Sequence, residues 1–128
     1  MRGRPVEYAT RVSRTLAGRF VEVHMVDVAS PPAYEARVFI GADTVAGRIL
    51  VHWLDSFGAA FSVPHGIGHV SGDTLRFDVA YATGPFRDTL IFDRRTDTWH
   101  FAIEAGDDRG GWQSFATYTL RRAPPRQR

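Results

Sequence analysis

From residue 18 onward the chain alternates apolar and polar positions with a period of two, the spacing of a strand whose faces meet different surroundings. Leu75, Phe77, Val79 and Tyr81 fall on one side, Arg76 and Asp78 on the other. Trp99, Phe101 and Ile103 alternate with His100, Ala102 and Glu104; Trp112, Ser114, Ala116, Tyr118 and Leu120 alternate with Gln113, Phe115, Thr117, Thr119 and Arg121. The pattern predicts nine strands, over 18–28, 34–41, 46–55, 57–63, 67–71, 74–82, 86–93, 98–105 and 111–121. Turn sequences separate them, among them Gly41-Ala42-Asp43-Thr44, Ser71-Gly72-Asp73-Thr74, Thr83-Gly84-Pro85 and Arg94-Arg95-Thr96-Asp97. Ser30-Pro31-Pro32 interrupts the chain after the first strand, because proline cannot donate to a ladder.

The head reads differently. Val6, Ala9, Val12 and Leu16 recur at near-helical spacing and predict a short helix or irregular turn over 6–17. The expected organisation is an N-terminal segment 1–17, a barrel domain 18–122 and a disordered tail 123–128. Short connections make consecutive strands antiparallel neighbours, and a row of such strands leaves two unpaired edges. Closing the sheet removes both. The fold expected is therefore all-β: a closed up-and-down antiparallel β-barrel of about 8–10 strands, with 111–121 paired to 18–28 and an interior that is either filled or open to a small ligand. An open sandwich is the alternative, and needs longer crossovers than these turns provide.

Composition narrows the chemistry. The chain of 128 residues suits one domain. It has no cysteine, which excludes disulfides, thiolate zinc sites and cysteine nucleophiles. All sixteen basic residues are arginine, so Schiff-base lysines and P-loop lysines are excluded too. Six arginines (2, 4, 121, 122, 126 and 128) lie near the ends, leaving ten against fourteen acids in between. That distribution is not the basic face a nucleic acid requires, and no nucleic-acid partner is expected. No apolar run approaches the ~18–20 residues of a membrane span, and Met1 to Tyr8 has no apolar signal core. No membrane partner and a cytoplasmic location are expected.

Several strings resemble a known family. Leu16-Ala17-Gly18-Arg19-Phe20 is similar to the Gly-x-Trp opening of the first strand in lipocalin-like (calycin) barrels, with phenylalanine in place of tryptophan. Tyr34 to Gly41, His52-Trp53-Leu54-Asp55-Ser56-Phe57-Gly58, Gly84-Pro85-Phe86 and Gly111-Trp112 resemble a bacterial lipocalin-like family of small, mostly uncharacterised single-domain proteins. The string from His52 to Gly58 is the most specific part. The resemblance implies a closed barrel with an internal cavity and carries no established activity. The related haem-binding nitrobindin barrels open on Gly-x-Trp-x-Gly-x-Gly; Gly18-Arg19-Phe20-Val21-Glu22 lacks that tryptophan and the later glycines, so no haem or other cofactor is carried over.

Five histidines are the first candidates for chemistry near neutral pH. His65-Gly66-Ile67-Gly68-His69 has eye-catching spacing, yet residues four apart in a strand lie ~13 Å apart, beyond one metal. A mobile glycine-rich loop at a barrel mouth is the expected reading, and no metal site is expected. His52 sits in the apolar run Ile49 to Leu54, either as a hydrogen-bonded core histidine or as a polar handle in a cavity. His24 with Glu22 makes a base and orienting carboxylate if that face points inward; otherwise Val21, Val23 and Met25 point in. Asp88 is in phase with Phe86, Leu90 and Phe92, so its carboxylate either faces the interior and needs a partner or sits wet at the lip.

The leading expectation is a barrel that binds a small apolar or aromatic molecule on a wall of Phe77, Tyr81, Trp99, Phe101, Trp112 and Tyr118, with Asp88, His52 and His24 as polar handles. The alternatives are a small isomerase- or cyclase-type enzyme using an inward histidine–carboxylate pair, and a filled barrel acting through protein contacts. Strand 46–55 is apolar on both faces, through Ile49, Val51 and Trp53 or through Leu50, His52 and Leu54. Either the N-terminal segment covers the outward set or the protein is a homodimer.

Overall fold

The computed structural model describes residues 6–122. The alternating segments form one antiparallel sheet of nine strands: β1 (Tyr8–Thr15), β2 (Phe20–Asp27), β3 (Glu35–Asp43), β4 (Arg48–Asp55), β5 (Gly66–Ser71), β6 (Thr74–Tyr81), β7 (Gly84–Asp93), β8 (Thr98–Gly106) and β9 (Trp112–Arg121). Each strand pairs with the next in sequence, so sheet order equals chain order. Among the described residues no helix is long and apolar enough to cross a membrane.

The sheet is strongly curled. In a flat sheet β4 and β8 would lie about 19 Å apart, at roughly 4.8 Å per strand. The rings of Trp53 on β4 and Phe101 on β8 are 6.2 Å apart. β1 and β9 would be about 38 Å apart when flat; Tyr8 and Tyr118 bring their rings to 5.6 Å. Right-handed twist bends the sheet, and burial of the apolar face holds it bent.

The expected closure does not occur. β1 and β9 share no ladder, and the sheet is a half-barrel with a seam. The number of strands explains the difference. In a meander of nine, the first and last strands run in the same direction, so closure would demand a parallel pairing of two strands that otherwise have only antiparallel neighbours. Nor does β9 meet β2, because β1 occupies the free side of β2.

Three local expectations are also corrected. Residues 6–17 do not form a helix: β1 pairs with β2 from Tyr8↔Asp27 to Thr15↔Phe20. The segment fits period two as well as it fits helical spacing, and β-branched Thr10, Val12 and Thr15 favour the strand once β2 supplies a partner. Residues 57–63 do not form a strand: Asp55 accepts the Phe57 N–H on Oδ1, Gly58 turns at φ 105°, and Ala59–Phe61 make a single 3₁₀ turn. The segment His65 to His69 is not a loop, since Gly66–Ser71 form β5. The expected disordered tail, 123–128, lies outside the described residues.

The concave face holds the core. Ala36, Val38, Ile49, Val51, Phe77 and Val79 form one buried cluster, with Val23, Tyr34, Ile40, Trp53, Leu75, Tyr81 and Leu90 against it. Both glycines of β5 face this core. A Cβ on Gly68 would lie 1.9 Å from the Arg76 carbonyl oxygen, and one on Gly66 would lie 2.9 Å from the Phe77 ring. Their absent side chains let β5 approach Phe77, which is only 2% exposed.

Candidate functional site

The concave face forms a cup with unlike ends. At the end that carries the β2–β3 and β4–β5 connections, five aromatic side chains make a continuous belt. Trp53 meets Phe101, Phe101 meets Tyr118 at 5.9 Å, Tyr118 meets Tyr8, and Tyr8 meets Tyr34 at 6.0 Å. The belt closes through hydrogen bonds: Trp53 Nε1–H donates to Tyr34 Oη at 3.0 Å, and Tyr34 donates to Asp55 Oδ2 at 2.9 Å. Side chains therefore bridge the seam that backbone pairing leaves open. Burial pushes the Tyr34 phenol far up, and Asp55 beside it adds to the rise. Burial likewise raises Tyr8 to about 12, with Tyr118 contributing.

The string from His52 to Gly58 builds this floor. Alternation along β4 points Trp53 and Asp55 inward. Asp55 ends the strand by accepting the Phe57 N–H, and Ser56 Oγ accepts the Glu35 N–H, which ties the turn to β3 beside Tyr34.

The opposite end, near the β1–β2 and β7–β8 turns, is open. Val12, in phase with the concave face of β1, is 63% exposed, and Val21 and Val70 are exposed beside the same end. Trp99 stands at this lip, 37% exposed, with its ring 5.1 Å from Phe92.

Between lip and floor sits Asp88. Its register partners are Phe77 on β6 and Ile103 on β8, both on the concave face. It is 4% exposed, and no hydrogen bond or ion pair from a described residue reaches its carboxyl group. The nearest arginines are engaged on the convex face, Arg87 with Glu104 at 3.1 Å and Arg76 with Thr89 at 3.3 Å. Burial lifts Asp88 to about 7, and Asp78 adds to the rise. Among the described residues the one polar side-chain atom both fully sealed and without a partner is Thr10 Oγ1. The Asp88 carboxyl, also without a partner, is therefore not fully sealed. Tyr81, on the neighbouring strand, is raised to about 12 by burial, with Asp88 and Asp55 contributing.

The expected site residues divide. Phe77, Tyr81, Asp88, Trp99, Phe101 and Tyr118 lie on the concave face. Trp112 does not. A β-bulge shifts the register between Ile103↔Ala116 and Glu104↔Ser114, and the extra residue reverses the alternation beyond it. Trp112 thereby stacks under Arg87 at 4.3 Å on the convex face, while Phe115 turns inward to Phe86 at 5.1 Å. His52 and His24 are convex as well. His52 lies against His65 and Phe20, and His24 Nε2 is 2.6 Å from Glu35 Oε2. Glu22 bonds Arg37. The inward histidine–carboxylate pair is thus not formed; Val21, Val23 and Met25 face in instead. No group of three metal-binding side chains occurs among the described residues.

Trp53, Tyr34, Tyr8 and Asp55 are cup residues that the sequence pattern did not single out. The apolar run of β4 already held the signal for Trp53, but two apolar faces leave no phase to read. A cleft of about 570 Å³ lies on the convex side between Asp97, His100, Thr119 and Arg122. Arg122 there is bonded to Asp97 at 2.9 Å, and Arg121 lines the same cleft.

No family model, no curated protein and no solved structure matches the chain.

Proposed function

We propose that the protein binds a small apolar or aromatic molecule in the concave cup, entering past Trp99 and resting toward the Trp53–Phe101–Tyr118 belt. The observation that carries this reading is Asp88: a nearly buried carboxyl group, unbonded, on an otherwise apolar wall. A buried polar group left unpaired costs about 1–3 kcal/mol, more when charged, and a ligand that bonds it offsets that cost. The open, apolar lip supports the same reading.

The neutral fluorogenic probe N-phenyl-1-naphthylamine tests it. Saturable fluorescence enhancement is expected with the wild type, weakened by Trp99→Ala at the lip and by Val12→Arg across the mouth. Thr117→Ala, at an exposed position on the convex face, should leave it unchanged. Absence of saturable binding, or equal binding by all four proteins, would overturn the cup as a ligand site.

The convex face has its own apolar set in Leu50, Leu54 and Ile67, the last two exposed. Tyr8–Thr15 pair with β2, and none of the described residues of the N-terminal segment pairs with β4 or β5. A second copy of the chain is the proposed cover.

A further inference from the structure

We infer that the ligand of the cup is a hydrophobic amine, an aromatic or alkyl ammonium ion whose cationic head pairs with Asp88 while its apolar body lies on the aromatic wall. This inference rests on the cup being a ligand site and adds the chemical class of its occupant.

Charge on the concave face is one-sided. Asp88 and Asp55 both act on the buried Tyr81 phenol. The chain has no lysine, and all five histidines lie on the convex face or outside the cup. Arg14 is the one strand arginine in phase with the concave face, and it is exposed beside the β1–β2 turn. Nothing described therefore neutralises Asp88. A fatty acid or other anion would bring a second negative charge to the same wall, where like charges in low dielectric repel strongly. An apolar molecule without a donor would bury the carboxyl group still unpaired. An ammonium ion supplies both the opposite charge and the hydrogen-bond donors.

The walls suit the same cation. Phe77 is the direct register partner of Asp88, and Phe101 lies on the diagonal through Leu90. Trp53 meets both rings, at 6.5 Å and 6.2 Å. Phe77 and Phe101 are packed in the core, at 2% and 4% exposure, and back the carboxyl group; the ring within reach of a cation entering the cup is Trp99 at the lip, 37% exposed. The exposed apolar residues of the lip, Val12, Val21 and Val70, would take the hydrocarbon part.

Three probes of one shape separate the possibilities: 2-(1-naphthyl)ethylamine, 1-naphthaleneethanol and 1-naphthaleneacetate, each competing with N-phenyl-1-naphthylamine at pH 8. The amine is expected to displace the reporter at concentrations at least tenfold below the alcohol, and the carboxylate to be the weakest. In Asp88→Asn the reporter should still bind, and the amine's advantage over the alcohol should shrink to within about twofold. If the reporter binds but the amine is no better than the alcohol, the amine inference fails and the cup stands. An amine advantage that persists in Asp88→Asn would also overturn it, since the cation is then read elsewhere. If neither reporter nor any naphthalene binds the wild type, the cup reading and this inference fall together.

Discussion

Replacing Asp88 by asparagine keeps the shape of the side chain and removes its titration. In the folded protein the carboxyl group is held near pH 7, against 3.8 for the free side chain, because burial disfavours the charged form. A difference of about three units corresponds to about 4 kcal/mol. The raised value gives the sign. Below about pH 4 the group is protonated in both states and contributes nothing. Between about 4 and 7 the folded protein holds a proton that the unfolded chain releases, so stability falls as pH rises; above about 7 the full cost is present. Asp78 adds to the rise, and no ion pair from a described residue supplies a compensating positive charge. The wild type should therefore lose about 3 kcal/mol relative to Asp88→Asn between pH 5 and pH 8.5. Against a typical 5–15 kcal/mol for a whole domain, that is a large share. Urea unfolding followed by far-UV circular dichroism reads it directly. With a urea slope of about 2 kcal/mol per molar, the midpoint difference should change by about 1.5 M between the two pH values. Other titrating groups are common to both proteins and cancel, and any constant cost of the buried amide drops out of the comparison. Parallel pH profiles for the two proteins would refute the placement of Asp88 as buried and unpaired.

Leu16 and Ala17 both adopt positive φ, 52° and 59°, in the β1–β2 turn, so Ala17→Gly should raise stability by about 1 kcal/mol, read as a higher midpoint in thermal unfolding. Gly68→Ala forces a methyl group against the Arg76 carbonyl and should cost about 3 kcal/mol; a neutral result in urea would show that β5 does not approach β6 this closely. Two tryptophan replacements should differ sharply: Trp53→Ala about 3–5 kcal/mol as a large side chain lost from the core, Trp112→Ala about 1 kcal/mol, because it loses mainly its stack under Arg87. Light scattering should give a dimer mass that Leu54→Arg reduces to the monomer; a wild-type monomer at high concentration would remove the second copy as cover for the convex face.

Alternation with period two was enough to read an all-β meander and to put Phe77, Asp88, Phe101 and Tyr118 on one face, because a regular strand has no freedom in which side successive residues take. It also placed Asp88 inward, although only packing decided that the group is buried rather than wet. The reading failed where more than one arrangement satisfies the local pattern. Tyr8 to Thr15 fits two periods, and the free side of β2 chose the strand. Trp112 alternates correctly with Tyr118 in sequence, yet one bulged residue between them sends it to the other face, and nothing in the residue types marks that insertion. Strand β4 is apolar on both sides, so the inward choice of Trp53 over His52 came from its neighbours. Closure is a property of the whole sheet. Nine strands bring β1 and β9 into parallel orientation, and rings from β1, β4, β8, β9 and the residue before β3 span the gap instead. Those residues lie up to 110 positions apart, from Tyr8 to Tyr118. Local propensity acts over a few residues and carries no information about contacts at that range; the curl of the sheet creates them.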